Sequence, residues 1–447
     1  MRPSPRAASD VGLPSVKAGV LDRWSTLLLP ALAVTVAFVL PARLVVGALG
    51  AAGRPSVILG FGLAMAWALA QLQGAGKGKA SGPLRLLLAL FWASTLVSYA
   101  LGFDRGMTAA EASAADRALI VAVAASGLML AVAEGVHHRD DVYRMLKVLV
   151  LGSSFMAGIG LLQVFGIDLV PLLRVPGLDY NAPLIGISER GSGGFPRVAG
   201  TSGHYIEFGT VAGLALPLAV HLGRRLGGRW WVPVAALGIA LPFSVSRTSF
   251  LALGVAMGVL VLAWSWRTRA NAAVVGTVVV AGFQILQPGL LGTIKALFLG
   301  AATDPSVLGR TEDYPVTTTY IDERPFFGRG PGTFIPEQYL ILDNQALGAI
   351  LNTGYVGLLA LLALVLGAAW AARRAARLSG YPDDRELAFA ITGVVLGVVL
   401  TSLTFDSLSF ALFATLLYAT IGIAFGLLRV VEGADAPRGA GPEQQDG

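Results

Sequence analysis

The sequence predicts an all-α polytopic membrane protein of about twelve transmembrane helices, with a long, partly helical extracytoplasmic loop. Three observations predict it. Of 447 residues, 55% are hydrophobic and only 13% charged, about half the charged share of a soluble domain. Glycine and proline are abundant, 56 and 23 residues, in an apolar context that suits membrane helices and excludes a disordered chain. Apolar runs near the length of a bilayer span recur along the whole chain. Cysteine is absent, which excludes disulfides, thiolate zinc sites, iron–sulfur clusters and a cysteine nucleophile.

Twelve segments meet the length and apolarity of a span: 24–40, 55–72, 84–102, 118–136, 148–166, 205–222, 230–245, 249–266, 271–287, 347–371, 387–403 and 409–428. Residues 1–23 are polar and no small-residue cleavage site follows the first span, so they read as a cytoplasmic tail. Residues 24–430 read as one membrane domain, and 431–447 as a disordered C-terminal tail.

Lysine and arginine orient the chain. With both termini cytoplasmic, the inner segments carry about 21 of the 33 basic residues, a positive-inside distribution. The clusters Arg224, Arg225, Arg229 and Arg373, Arg374, Arg377 then read as inner-face anchors. The outer face has two long loops, 167–204 and 288–346, and long loops in compact proteins usually serve function. Chemistry is therefore expected on the extracytoplasmic face.

Three segments of that face carry candidate residues. The first loop ends GFPRVAGTSGHYIEFG, residues 194–209. Arg197 stands beside a glycine-rich turn, and His204 and Glu207, three residues apart, share one helix face. Two readings stay open for these residues: a substrate-facing pair, or a helix start capped by Thr201 or Ser202 with Glu207 as a first-turn acid. The second segment is SVSRTS, residues 244–249, where Arg247 lies outside against the charge trend. It is read either as a snorkelling interfacial residue or as a phosphate ligand, since a guanidinium fork binds phosphate oxygens bidentately. The third is the long loop, with Arg310, Arg324 and Arg329 among acids. Its run GRGPG, 328–332, lacks the Lys-Ser/Thr ending of a phosphate-binding loop, which excludes nucleotide binding there. Apolar residues at helical spacing over 336–351 place Asp343 on a helix.

These segments, in this order, resemble the O-antigen ligase and polymerase superfamily. FPRVAGTSGHYIEFG resembles its Arg-x-x-Gly-Thr segment, and SVSRTSFLAL its Ser-Arg segment. The loop from Gly309 through Gly357 resembles its long periplasmic loop, where Asn344, nine residues, then Gly354-Tyr-Val-Gly357 keep the family spacing. The similarity covers about 195–430. One departure stands out: the position of the family's histidine holds Asp343.

The resemblance implies a GT-C-like architecture and an enzyme of cell-surface polysaccharide biosynthesis. Such an enzyme transfers a glycan from a polyprenyl(undecaprenyl)-pyrophosphate donor to a hydroxyl of a glycan or glycolipid acceptor. The site would face the periplasm or extracytoplasmic space of a multi-pass protein of the cytoplasmic membrane, with membrane lipid around it and no nucleic acid. Asp343 would take the acceptor's proton, and Arg247 and Arg310, with Arg197, would stabilise the departing pyrophosphate. His204, Glu207, Arg324, Tyr339 and Asn344 are the further substrate-binding candidates. Arg324 has the alternative of pairing with Asp322 or Glu323. With arginines neutralising the pyrophosphate, no metal and no cofactor is called for. The alternatives are a repeat-unit polymerase of the same superfamily, a twelve-span secondary transporter or lipid-carrier flippase, and a different polyprenyl-phosphate-sugar transferase. The last usually carries an acidic pair in the first outer loop, but neither 41–54 nor 103–117 holds adjacent acids, and the adjacent Asp140-Asp141 and Asp383-Asp384 read as cytoplasmic.

Overall fold

The computed structural model describes residues 21–73, 82–184, 187–190, 195–300 and 314–434. Each of the twelve predicted segments falls on a helix. In chain order these are α1 (Leu21–Val39), α2 (Pro55–Leu72), α3 (Gly82–Asp104), α4 (Ala109–Gly135), α5 (Arg139–Val164), α6 (Tyr205–Leu226), α7 (Trp231–Ala240), α8 (Arg247–Val261) and α9 (Trp266–Leu286). Two loop helices follow, α10 (Leu290–Leu299) and α11 (Tyr314–Glu323), then α12 (Gln345–Leu378), α13 (Pro382–Thr401) and α14 (Ala411–Ala434). Among the described residues, eight helices are long and apolar enough to cross a membrane: α2, α3, α4, α5, α6, α9, α12 and α14. The protein is an all-α integral membrane protein. The N-terminal tail to residue 20, most of the C-terminal tail, and Arg310 lie outside the described residues.

Small residues let the helices approach closely, the usual solution where lipid removes the hydrophobic drive between helices. A Cβ on Gly127 of α4 would collide with the Gly60 carbonyl of α2, and one on Gly393 of α13 with the Ala256 carbonyl of α8. The centre of the bundle is α6 and α14, each buried over 89% of its span. By contrast, α9 has no fully buried residue and touches the core only through partly buried side chains such as Phe283, which meets Phe243. The 34-residue α12 bends at Gly354, whose φ of 69° only glycine adopts without strain.

The described part of the first long loop contains strands that apolar periodicity did not reveal. β1 (Leu44–Val45) pairs antiparallel with β2 (Asp179–Tyr180), and β3 (Ser188–Arg190) with β4 (Phe195–Arg197). The first ribbon clips the loop to the α1–α2 connection, and the second folds the loop back on itself. They are two or three residues long, too short to leave a pattern in sequence.

All the long connections gather at one end, here called the loop end. The other end is a belt of ion pairs. Arg139 meets Asp384 at 2.6 Å, Arg225 meets Asp383 at 2.6 Å, and Arg224 meets Glu386 at 2.9 Å. The adjacent acids at 383–384 are thus engaged by arginines. So is Asp141, which pairs with Arg144 and accepts the backbone N–H groups of His137 and His138.

Candidate active site

The loop-end site is built on the turn 198–204, which joins β4 to α6. Gln163 of α5 accepts from Ala199 N and Gly200 N at 3.2 and 2.8 Å. Thr201 donates to the Phe38 carbonyl of α1 at 2.7 Å. Arg43 donates twice to the Gly203 carbonyl, at 3.1 and 2.8 Å, and also to Pro183. The turn is therefore held from α1, α5 and the α1–α2 connection.

Neither Thr201 nor Ser202 caps α6. His204 is the cap, its Nδ1 accepting from Ile206 N at 3.2 Å. Because that lone pair is committed, the neutral ring carries its proton on Nε2 and offers a donor there. Burial, with Arg197 and Arg43 close by, pushes the His204 ring down to about 4, while Asp343 opposes the shift. A histidine so depressed is uncharged at neutral pH.

Glu207, one turn later, is fully buried. One oxygen accepts from Gly203 N at 2.6 Å, and the other from Leu412 N and Phe413 N at 2.7 and 3.3 Å. It pins the turn to the positive N-terminus of α14, a site that favours a carboxylate. Its bonds are structural, one layer beneath the surface residues.

Arg197 lies on β4 and donates from Nε to the Ser244 carbonyl at 3.0 Å. Its guanidinium sits 4.5 Å over the Tyr205 ring. Val198 N donates to the Phe243 carbonyl at 3.2 Å, so two bonds stitch the strand to the turn that opens α8. That turn contains Val245 at φ 43°, ψ 50°, a left-handed conformation costly for a β-branched residue. The strain turns the chain into α8, where Arg247 is the first residue and donates to the Leu297 carbonyl of α10 at 3.1 Å.

Asp343 is exposed and precedes the helix rather than lying on it. The reason is Asn344, whose side chain accepts from Ala346 N and Leu347 N at 3.0 and 3.1 Å and so starts α12 at Gln345. An asparagine cap outweighs the weak apolar periodicity before it. The Asp343 charge acts on the His204 ring and on Asp406. Burial pushes the Asp406 carboxyl up, and the like charge of Asp343 adds to the rise.

Of the sequence candidates, the structure thus brings together Arg197, His204 and Asp343, with Glu207 beneath and Arg247 on the adjoining turn. Tyr339 and Arg324 belong to a second cluster. Tyr339 donates to Glu111 at 2.7 Å and accepts from Arg329 at 3.1 Å. Glu111 also pairs with Arg105 at 2.5 Å, and Arg329 with Glu323 at 2.8 Å. Arg324 donates to the Leu101 carbonyl at 3.4 Å. This cluster fastens the segment after α11 to the α3–α4 hairpin. Sequence reasoning missed Arg43, Arg54 and Asp406. The same signal that singled out Arg247, a charge in a short outer connection, marks all three.

The arrangement offers a carboxylate, a neutral imidazole donor and guanidinium groups on one surface. Among the described residues no three His, Asp or Glu side chains converge as metal ligands would. Such a set can take a proton from a hydroxyl and hold an anion beside it. Residues 232–362, running from α7 into α12 through Arg247 and Asp343, match the family model for O-antigen ligase. That match supports a place in the O-antigen ligase/polymerase superfamily. The match spans under a third of the chain and stops short of Arg197 and His204. No curated protein matches the chain. In general terms the match supports an O-antigen ligase- or polymerase-like function.

Proposed function

We propose that the protein transfers a glycan from a polyprenyl-pyrophosphate donor to an acceptor hydroxyl, at the extracytoplasmic face of the cytoplasmic membrane. The observation that carries the reading is the cluster of Arg197, His204 and Asp343 on one turn-rich surface, beside a segment that matches O-antigen ligase. Asp343 accepts the proton as the acceptor oxygen attacks the anomeric carbon. The bond from that carbon to the pyrophosphate oxygen breaks, and the leaving lipid pyrophosphate departs with both electrons. Arg197 and Arg247, with Arg310, stabilise the charge it gains. His204 donates from Nε2 to a sugar or phosphate oxygen and is not the base, because its other nitrogen caps α6.

The carrier alternative places charge at mid-membrane. Among the described residues the fully buried carboxylates, Glu111, Asp141, Glu207 and Asp384, all occupy first turns of helices. That position favours chemistry at the ends of the bundle. The decisive assay incubates purified protein with a polyprenyl-pyrophosphate oligosaccharide and candidate acceptors. Extended lipid-linked chains identify a polymerase, and one transfer to a different acceptor identifies a ligase. Absence of transfer from every lipid-linked donor overturns the reading.

A further inference from the structure

The α12–α13 hairpin at the belt end gathers three arginines that no described carboxylate neutralises. Arg373 and Arg377 lie one turn apart on α12, and Arg385 stands in the first turn of α13. Arg377 and Arg385 are within electrostatic reach of Arg373. The carboxylates nearby are engaged elsewhere: Asp383 by Arg225, Asp384 by Arg139, Glu386 by Arg224 and Glu432 by Arg374. Arg377 and Arg385 are exposed and make no hydrogen bond or ion pair among the described residues. A cation is disfavoured at a helix N-terminus, so the helix itself gives no reason for Arg385.

Arg373 is fixed from α13. Its Nε donates to the Thr392 hydroxyl at 3.2 Å, and its guanidinium carbon lies 4.1 Å from the centre of the Phe389 ring. Both contacts aim the fork without cancelling its charge. Its Nη groups make no hydrogen bond among the described residues and keep their donors for a further acceptor. Arg374, the next residue, behaves otherwise: it turns to α14 and donates to Glu432 at 2.8 Å.

Below the three guanidinium groups the hairpin presents apolar side chains. Leu366 and Trp370 precede Arg373 and Arg377 at the spacing of one helix face, and Leu396 lies one turn past Thr392 on α13. All three are exposed. Trp370 is shared, since the Arg374 guanidinium also lies 5.8 Å from its ring. A tryptophan one turn inside a rank of arginines marks the membrane interface and puts the arginines at headgroup depth.

We propose that Arg373, Arg377 and Arg385 bind the headgroup phosphate of an anionic phospholipid, with an acyl chain along Leu366, Trp370 and Leu396. Its leaflet is the one at the belt end, cytoplasmic in the orientation that the basic residues predict. Three neighbouring cations repel one another, and an anion among them relieves the repulsion. Guanidinium forks match phosphate oxygens, and the apolar face below favours an anion that carries hydrocarbon over a soluble one. Basic clusters between membrane helices on the cytoplasmic side take acidic headgroups in this way. The site lies at the opposite end from the Arg197–His204–Asp343 surface and does not depend on the transfer reaction proposed there.

The test is lipid binding to the purified full-length protein in detergent, read by native mass spectrometry. Phosphatidylglycerol and phosphatidylcholine with the same acyl chains are the probes. The wild-type protein is expected to prefer phosphatidylglycerol by at least about tenfold, given about fivefold for each arginine near an acidic headgroup. The double variant Arg377→Gln with Arg385→Gln changes only exposed side chains that make no bond among the described residues. It is expected to bring the preference within about twofold of parity. A matched control, Arg229→Gln with Arg267→Gln, removes two exposed arginines outside the hairpin and is expected to leave the preference within about twofold of wild type. Equal binding of the two lipids by the wild-type protein overturns the proposal, and so does an unchanged preference in the Arg377 and Arg385 variant. An equal loss in the control also overturns it, because the preference would then belong to surface charge in general. Displacement of phosphatidylglycerol by equimolar inorganic phosphate overturns the lipid as the occupant.

Discussion

The two ends of the bundle treat their arginines differently. At the belt end Arg139, Arg224, Arg225 and Arg374 each meet a carboxylate within 3 Å. At the loop end Arg105 and Arg329 also meet carboxylates, but Arg43, Arg54, Arg197 and Arg247 donate to backbone carbonyls of Gly203, Ser409, Ser244 and Leu297. A carbonyl fixes the direction of a guanidinium without cancelling its charge, whereas a carboxylate does both. The belt end therefore anchors through paired charges, and the loop end aims several guanidinium groups through the backbone.

The largest expected effect separates the ends by chemistry. Asp343→Asn is expected to lower transfer by about 10²- to 10⁴-fold, the range for loss of a general base, with the unfolding midpoint unchanged. Near-wild-type transfer in a folded Asp343→Asn protein would remove that residue from the mechanism.

Next in size is the strut beneath the site. Glu207→Ala leaves three buried N–H groups without an acceptor and is expected to cost about 3 kcal/mol of stability, at about 1 kcal/mol or more per orphaned donor. Thermal unfolding in detergent reads it, and a loss under half that size would mean that α14 and the 198–204 turn are held by other contacts.

His204 links stability to pH. Its ring titrates near 6.5 unfolded and about 4 in the folded protein, so below 6.5 the unfolded state binds more protons. The folded state then loses stability progressively as the pH falls from about 6.5 toward 4, and not above that window. His204→Asn retains a capping oxygen and is expected to flatten this slope. An identical slope in the variant assigns the acid sensitivity to another group.

The smallest effect belongs to the belt. Arg225→Ala breaks a half-exposed pair and is expected to cost at most about 1 kcal/mol, with transfer within about twofold of wild type. An effect on transfer as large as that of Asp343→Asn would abolish the distinction between the two ends.

Most of the helical architecture was legible, because a helix that buries its backbone bonds in lipid must advertise itself as a long apolar run. α2 coincides with its predicted segment, Pro55–Leu72. Helix starts were harder. α4 and α5 begin nine residues before their apolar runs, on polar turns capped by Thr108 and by Asp141. In the site, Arg197, His204 and Asp343 were legible as charges where an apolar chain has few. Asn344 and Glu207 were visible too, but their work, capping α12 and tying α6 to α14, depends on partners distant in sequence. Arg43 and Arg54 carry the same signal as Arg247 but lie outside the three segments that drew attention.

The sequence alone determined the membrane class, the order of the helices and the charges worth attention, since hydropathy and charge scarcity are local properties. Tertiary structure alone decided which of those charges face one another. It brought Asp343 within electrostatic reach of His204 across more than a hundred residues, and it moved Tyr339 to a separate cluster with Glu111 and Arg329. Such pairings arise from how helices cross and where loops are pinned, and neither is written in the composition of any one segment.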